Sequence, residues 1–101
     1  MPPDKVVQQA AASLRLLADP TRIKVLWALA QGESSVSCLA ELAGASPTAV
    51  SQHLAKLRLA GLVSTRRQGT FVYYSVAGDQ VTRLLADLVG QVAAGPPTCG
   101  G

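Results

Sequence analysis

Ser35-Val36-Ser37-Cys38-Leu39-Ala40-Glu41-Leu42-Ala43-Gly44-Ala45-Ser46-Pro47-Thr48-Ala49-Val50-Ser51-Gln52-His53-Leu54-Ala55-Lys56-Leu57-Arg58-Leu59-Ala60 decides how this 101-residue chain is read. Ser35 suits a helix N-cap, and Leu39 and Leu42 give the short helix behind it an apolar side. Gly44 is placed to end that helix. Ser46-Pro47 then repeats the start signal, a capping hydroxyl followed by a proline at the first helical position, where a missing N–H costs nothing. The second helix is expected to run to about Ala60, with Gly61 ending it. A short helix, a tight turn and a longer helix make a helix-turn-helix, whose second helix lies in the DNA major groove.

The faces of that second helix agree with this use. At about 100° per residue, Val50, Leu54 and Leu57 fall together and point to a core. The opposite arc carries Thr48, Ser51, Gln52, Ala55 and Lys56, with Arg58 at its edge. Small and amide side chains leave room for base edges, and the cations suit phosphates. A plain surface helix more often carries Glu–Lys pairs there. Thr48, Ser51 and Gln52 are therefore candidate base contacts, and Ser46, Lys56 and Arg58 candidate backbone contacts. His53 lies beside the apolar face, where a packed or hydrogen-bonded role is expected.

Charge is distributed to match. The chain carries +3 overall, yet Lys56, Arg58, Arg66 and Arg67 lie in a window from Glu41 to Asp79 that holds no acid between its ends. The rest sets five cations against six acids. Positive charge gathered in one third of a domain is the footprint of a polyanion partner. After Gly61, Leu62–Arg67 and Thr70–Val76 are strand-like runs joined by Gln68-Gly69, a hairpin signal. Arg66 and Arg67 before its tip and Thr70 after it make a wing that can reach phosphates.

Working outward, Val6, Val7, Ala10, Leu14 and Leu17 recur at helical spacing over residues 4–18. Asp19-Pro20 begins a second helix, with Ile23, Leu26, Trp27 and Leu29 as its apolar face, ending near Gln31-Gly32. Asp79 can cap a last helix in which Val81, Leu84, Leu85, Leu88 and Val92 share a stripe to about Ala94. The expected fold is mainly α with one β-hairpin, five helices and a two-stranded wing. Residues 1–94 form one DNA-binding and dimerisation domain, and 95–101 a flexible tail. Apolar residues make up 49% of the chain and aromatics only 4%. No apolar run approaches the roughly 18 residues of a membrane span, and no secretion signal precedes the first helix. A cytoplasmic chain is expected.

Leu17-Ala18-Asp19-Pro20-Thr21-Arg22, Ser46 through Leu57, Gly61-Leu62-Val63 and Arg67-Gln68-Gly69-Thr70-Phe71-Val72-Tyr73-Tyr74 together resemble the ArsR/SmtB family of bacterial winged-helix repressors. The likeness covers roughly residues 6–92. It implies a homodimer built through the first and last helices, which binds an imperfect inverted repeat and is released by an effector. The apolar stripes agree, since one of the two terminal helices must find a partner outside the monomer core. Val7, Leu14, Val81, Leu84, Leu85, Leu88 and Val92 are the candidate interface.

Metal sensors of this kind often carry Cys-Val-Cys at the positions held here by Ser35-Val36-Ser37, and hydroxyls are poor ligands for soft metals. The acid and histidine positions of the last helix match Gly78, Gln80, Gln91 and Ala94. No metal site and no cofactor is expected on this basis. Cys38, near a helix start that favours thiolate, and Cys99 on the tail leave a thiol switch or a thiol-reactive or metal effector open. The alternative is that Cys38 is a half-buried apolar residue and Cys99 is idle. Neither a carboxylate pair nor a phosphate loop points to an enzyme. The competing readings are a winged-helix protein–protein adaptor and a non-specific DNA-binding domain without a sensory site.

Overall fold

The computed structural model describes residues 1–94, and their side chains to residue 93. The tail 95–101, with Cys99, lies outside the described residues. The element order is α1 (Asp4–Leu17), α2 (Pro20–Gln31), α3 (Val36–Ala43), α4 (Pro47–Leu59), β1 (Val63–Gln68), β2 (Phe71–Val76) and α5 (Gln80–Ala94).

Local chemistry sets the helix boundaries. Asp19 Oδ1 accepts from the Arg22 amide at 3.0 Å, Ser35 Oγ from the Cys38 amide at 3.3 Å, and Ser46 Oγ from the Ala49 amide at 3.1 Å. Each satisfies an N–H that a helix start leaves without a partner. The α3–α4 turn needs a left-handed residue, supplied by Gly44 at φ 65°. Around it Ala45 N–H reaches the Ala40 carbonyl and Gly44 N–H that of Glu41, which closes α3. At the front of α5, the Asp79 carboxylate meets the Arg83 guanidinium at 3.1 Å.

The core forms where α2, α3, α4 and the wing meet. Val25, Leu26, Leu39, Val50, Leu54 and Leu57 are fully buried. The predicted core face of α4 is therefore the observed one. Two expectations along α2 and α3 change. Trp27 is 41% exposed and Leu42 64%, because Val25, Leu26 and Leu29 turn α2 so that Trp27 lies at the edge of its packed face.

β1 and β2 pair antiparallel, with Val63 opposite Val76 and Gln68 opposite Phe71. The tip is therefore Gly69-Thr70, one residue later than the expected Gln68-Gly69. The reason is glycine's position: Gly69 has φ 62° and Thr70 no positive φ, as in a hairpin turn with glycine first. The outer edge of β2 is not free. Ser34 in the α2–α3 connection exchanges two backbone hydrogen bonds with Tyr74, at 3.0 and 2.8 Å, which protects the edge.

Leu85 is corrected. It is 3% exposed within its own chain, and Val81 packs partly on the same core, since α5 folds back on α2. Leu84, Leu88 and Val92, from the same expected interface, are exposed.

Candidate nucleic-acid interface

Because Val50, Leu54 and Leu57 anchor α4 on the core, its other side must face outward. Thr48, Ser51, Gln52, Lys56 and Arg58 are all exposed. Among the described residues, none of these five side chains has a hydrogen bond or ion pair within the protein. Ser46 is exposed too; its oxygen accepts from Ala49, and its hydroxyl hydrogen remains able to donate to a phosphate. Lys56 and Arg58 stand in the last turn of α4, where cations also suit the helix dipole. A groove lined by Ala55, Arg58, Leu59 and Tyr74 separates this end of α4 from the wing.

The two wing arginines part company. Side chains alternate along a strand, so Arg66 and Arg67 point to opposite faces of the hairpin. Arg67, opposite Val72, shares the face of Val63 and Tyr74 that turns toward α4. It has no ion pair among the described residues. Arg66, opposite Tyr73, is held on the other face. Its Nη2 and Nε donate to Glu33 Oε1 and Oε2 at 2.6 and 3.0 Å. Its Nη1 donates to Gln68 Oε1 at 2.9 Å, and its guanidinium carbon lies 5.0 Å from the Tyr73 ring centre.

The hydrogen bonds from Arg66 hold the Glu33 carboxyl below its ordinary range, and Glu33 raises Arg66 in turn. Sequence reasoning missed this pair. Glu33 stands outside the acid-free window and reaches it only because Ser34 is stitched to β2. The cation expected at position 66 is thus paired with an acid, whereas exposed Arg67 and Thr70 have no side-chain hydrogen bond or ion pair among the described residues.

His53 is half-buried and hydrogen-bonded, as expected. Its Nδ1 accepts from Arg22 Nε at 2.9 Å, and its Nε2 lies 3.9 Å from Asp19 Oδ1. Asp19 is held below the usual carboxylate range, chiefly by the Arg22 amide. Cys38 is exposed rather than half-buried, and Cys99, the second thiol of the switch left open, lies outside the described residues. Among the described residues no three His, Cys, Asp or Glu side chains are grouped to hold a metal.

Comparison with known proteins identifies the arrangement. The pattern of the bacterial regulatory protein, arsR family, matches residues 19–65, from the Asp19 cap through α4 into β1. The HTH-type transcriptional regulator KmtR of Mycobacterium tuberculosis is 49% identical over 87 residues, which is 86% of this chain and 67% of that one. The nodulation protein NolR of Rhizobium meliloti is 42% identical over 90 residues, 87% of this chain and 74% of that one.

The chain belongs to the arsR family of bacterial regulatory proteins.

Solved structures agree with the fold of this arsR-family regulator. NolR from Sinorhizobium fredii matches with a TM-score of 0.80 and 40% identity, over 89% of this chain and 92% of that chain. A homodimeric winged helix-turn-helix DNA-binding domain from Mycobacterium bovis matches with 0.76 and 41%, over 90% and 83%. The regulator is a winged helix-turn-helix protein of a family of transcriptional regulators. No helix among its described residues is long and apolar enough to cross a membrane.

Proposed function

We propose that this regulator is a cytoplasmic repressor that binds double-stranded DNA as a homodimer, reads an inverted repeat, and is released by an effector. The carrying observation is the exposed face of α4, on which Thr48, Ser51 and Gln52 stand without internal partners among the described residues, between Ser46 at the front and Lys56 and Arg58 behind. Thr48, Ser51 and Gln52 contact bases; Ser46, Lys56, Arg58, Arg67 and Thr70 contact the backbone. Arg66 joins them only when a phosphate displaces Glu33. Release by an effector rests on the family alone, and we assign no metal, cofactor or catalytic residue.

The dimer reading is supported by α1. It buries only Leu17, and Val6, Val7 and Leu14 are 49%, 47% and 59% exposed. Such a stripe on a 14-residue helix is a face without a partner among the described residues. The same chain has an apolar groove of about 630 Å³, lined by Ile23, Trp27, Ala28, Leu42 and Val89 among others. A second copy can cover both, with exposed Leu84, Leu88 and Val92 of α5 extending the contact. The homodimeric Mycobacterium bovis domain is a relative in which two copies do associate.

The test is to recover fragments of sheared source DNA retained by the protein, titrate salt, and weigh the free protein by sedimentation. A recurrent inverted repeat held at moderate salt by a protein of twice the chain mass is expected. Salt-labile binding with no preferred fragment would leave a non-specific domain, and no binding at all would favour the protein–protein adaptor.

A further inference from the structure

Arg22 occupies an unusual place. It lies in the first turn of α2, where the helix dipole disfavours a cation, so its position needs another cause. The hydrogen bonds supply one. Nη1 donates to the Leu16 carbonyl in the last turn of α1 at 2.9 Å. Nε donates to His53 Nδ1 in α4 at 2.9 Å. Its own amide is fixed by Asp19 at 3.0 Å. One guanidinium thus joins the end of α1, the start of α2 and the middle of α4. His53 is flanked by Gln52 on the exposed face and Leu54 in the core, so the joint grips α4 at the boundary between its two faces.

We propose that the Asp19–Arg22–His53 joint is a positioning device: it fixes the angle of α4 to α1, and so the half-site spacing that the regulator accepts. The inference rests on the dimer reading above. If α1 carries the contact between subunits, the separation of the two copies of α4 is set by how rigidly each is held to its own α1. A planar guanidinium with its donors in fixed directions constrains an angle that apolar packing alone leaves softer.

The joint also orients the ring. Nδ1 accepts a hydrogen bond from Arg22, so the single proton of the neutral ring sits on Nε2, toward Asp19. The charged groups beside the ring are Arg22 from α2 and Asp19 from the α1–α2 turn, one on each ring nitrogen.

The test compares affinity for the selected operator with affinity for the same operator carrying one or two extra base pairs between half-sites. Arg22→Ala is expected to shrink the wild-type preference by roughly tenfold, an ordinary size for coupling between sites, with isolated half-site binding unchanged. His53→Asn places an amide oxygen near Nδ1 that does not protonate. It should keep the preference, because the acceptor for Arg22 is retained. Should Arg22→Ala prove unstable, Arg22→Lys, which cannot bridge both acceptors in the same plane, is expected to give the smaller loss in the same ratio. Equal weakening at every spacing overturns the joint. A protein that is monomeric and binds only half-sites overturns the dimer reading instead, so the two failures are distinguishable.

Discussion

α1 and α4 are helices of 14 and 13 residues, each with apolar residues at helical spacing, yet they meet opposite fates. α4 buries Val50, Leu54 and Leu57 completely, whereas α1 buries Leu17 alone. A stripe states that a helix has a face to cover. It does not state what covers it, because periodicity reports only how side chains sit around their own axis. The polar faces differ too: α4 exposes a surface without a single acid, while α1 carries both Asp4 and Arg15. One helix is fixed in the monomer and free toward a polyanion; the other is free toward a second copy.

The largest effect that separates them is in the core. Leu54→Ala should lower unfolding free energy by about 2–5 kcal/mol, the range for a fully buried leucine, measured by urea denaturation at fixed protein concentration. Leu14→Asp should do something different. Its far-ultraviolet circular dichroism should stay close to wild type while the dimer dissociation constant rises at least about tenfold, or 1.4 kcal/mol. Loss of the fold on that substitution would mean α1 belongs to the monomer core after all.

A finer contrast lies within the wing. Arg67→Ala is expected to weaken DNA binding at all sequences and reduce the salt slope by about 1. Arg66→Ala should do less, because its guanidinium must first leave Glu33. Glu33→Gln sharpens the comparison by loosening that pair, and the two arginines should then behave alike in salt titrations. Equal effects of the two arginines in the wild-type background would show that Glu33 does not restrain Arg66.

The smallest effect is in acid. Asp19 and Glu33 have lowered pKa values in the folded protein. Their contribution to stability is therefore complete above the ordinary carboxylate range, about pH 4. It is lost as pH falls through the lowered values, since the unfolded state then binds protons that the folded state still excludes. Glu33 is exposed and Asp19 only partly buried, so the loss is modest. Glu33→Gln should flatten part of the acid limb of a stability–pH curve, and an unchanged limb would remove Glu33 from the account.

Much of the architecture was legible before folding. Asp19-Pro20, Ser35 and Ser46-Pro47 announced three helix starts because a capping side chain acts on an amide three residues away. Gly44 announced the turn for a similarly local reason. The wing tip was displaced by one residue, since the expected Gln68-Gly69 connection set glycine second rather than first. Within the candidate site, the outward face of α4 followed from its inward face. The Arg66–Glu33 pair was not legible because the two residues are 33 apart in the chain, with Glu33 in a connection whose course is set by backbone pairing with β2. Leu85 was assigned to the interface because every residue on a stripe looks equivalent until the helix is laid against something.

The sequence by itself determined the helix ends, the hairpin, the core face of α4 and the acid-free surface opposite. All of these depend on neighbours within a turn or on the direction of a side chain about its own element. Tertiary structure alone decided which wing arginine is free, which part of α5 is core, and that Arg22 grips a histidine 31 residues away. Those outcomes depend on what stands across a packed interface, and only the folded chain brings the two sides together.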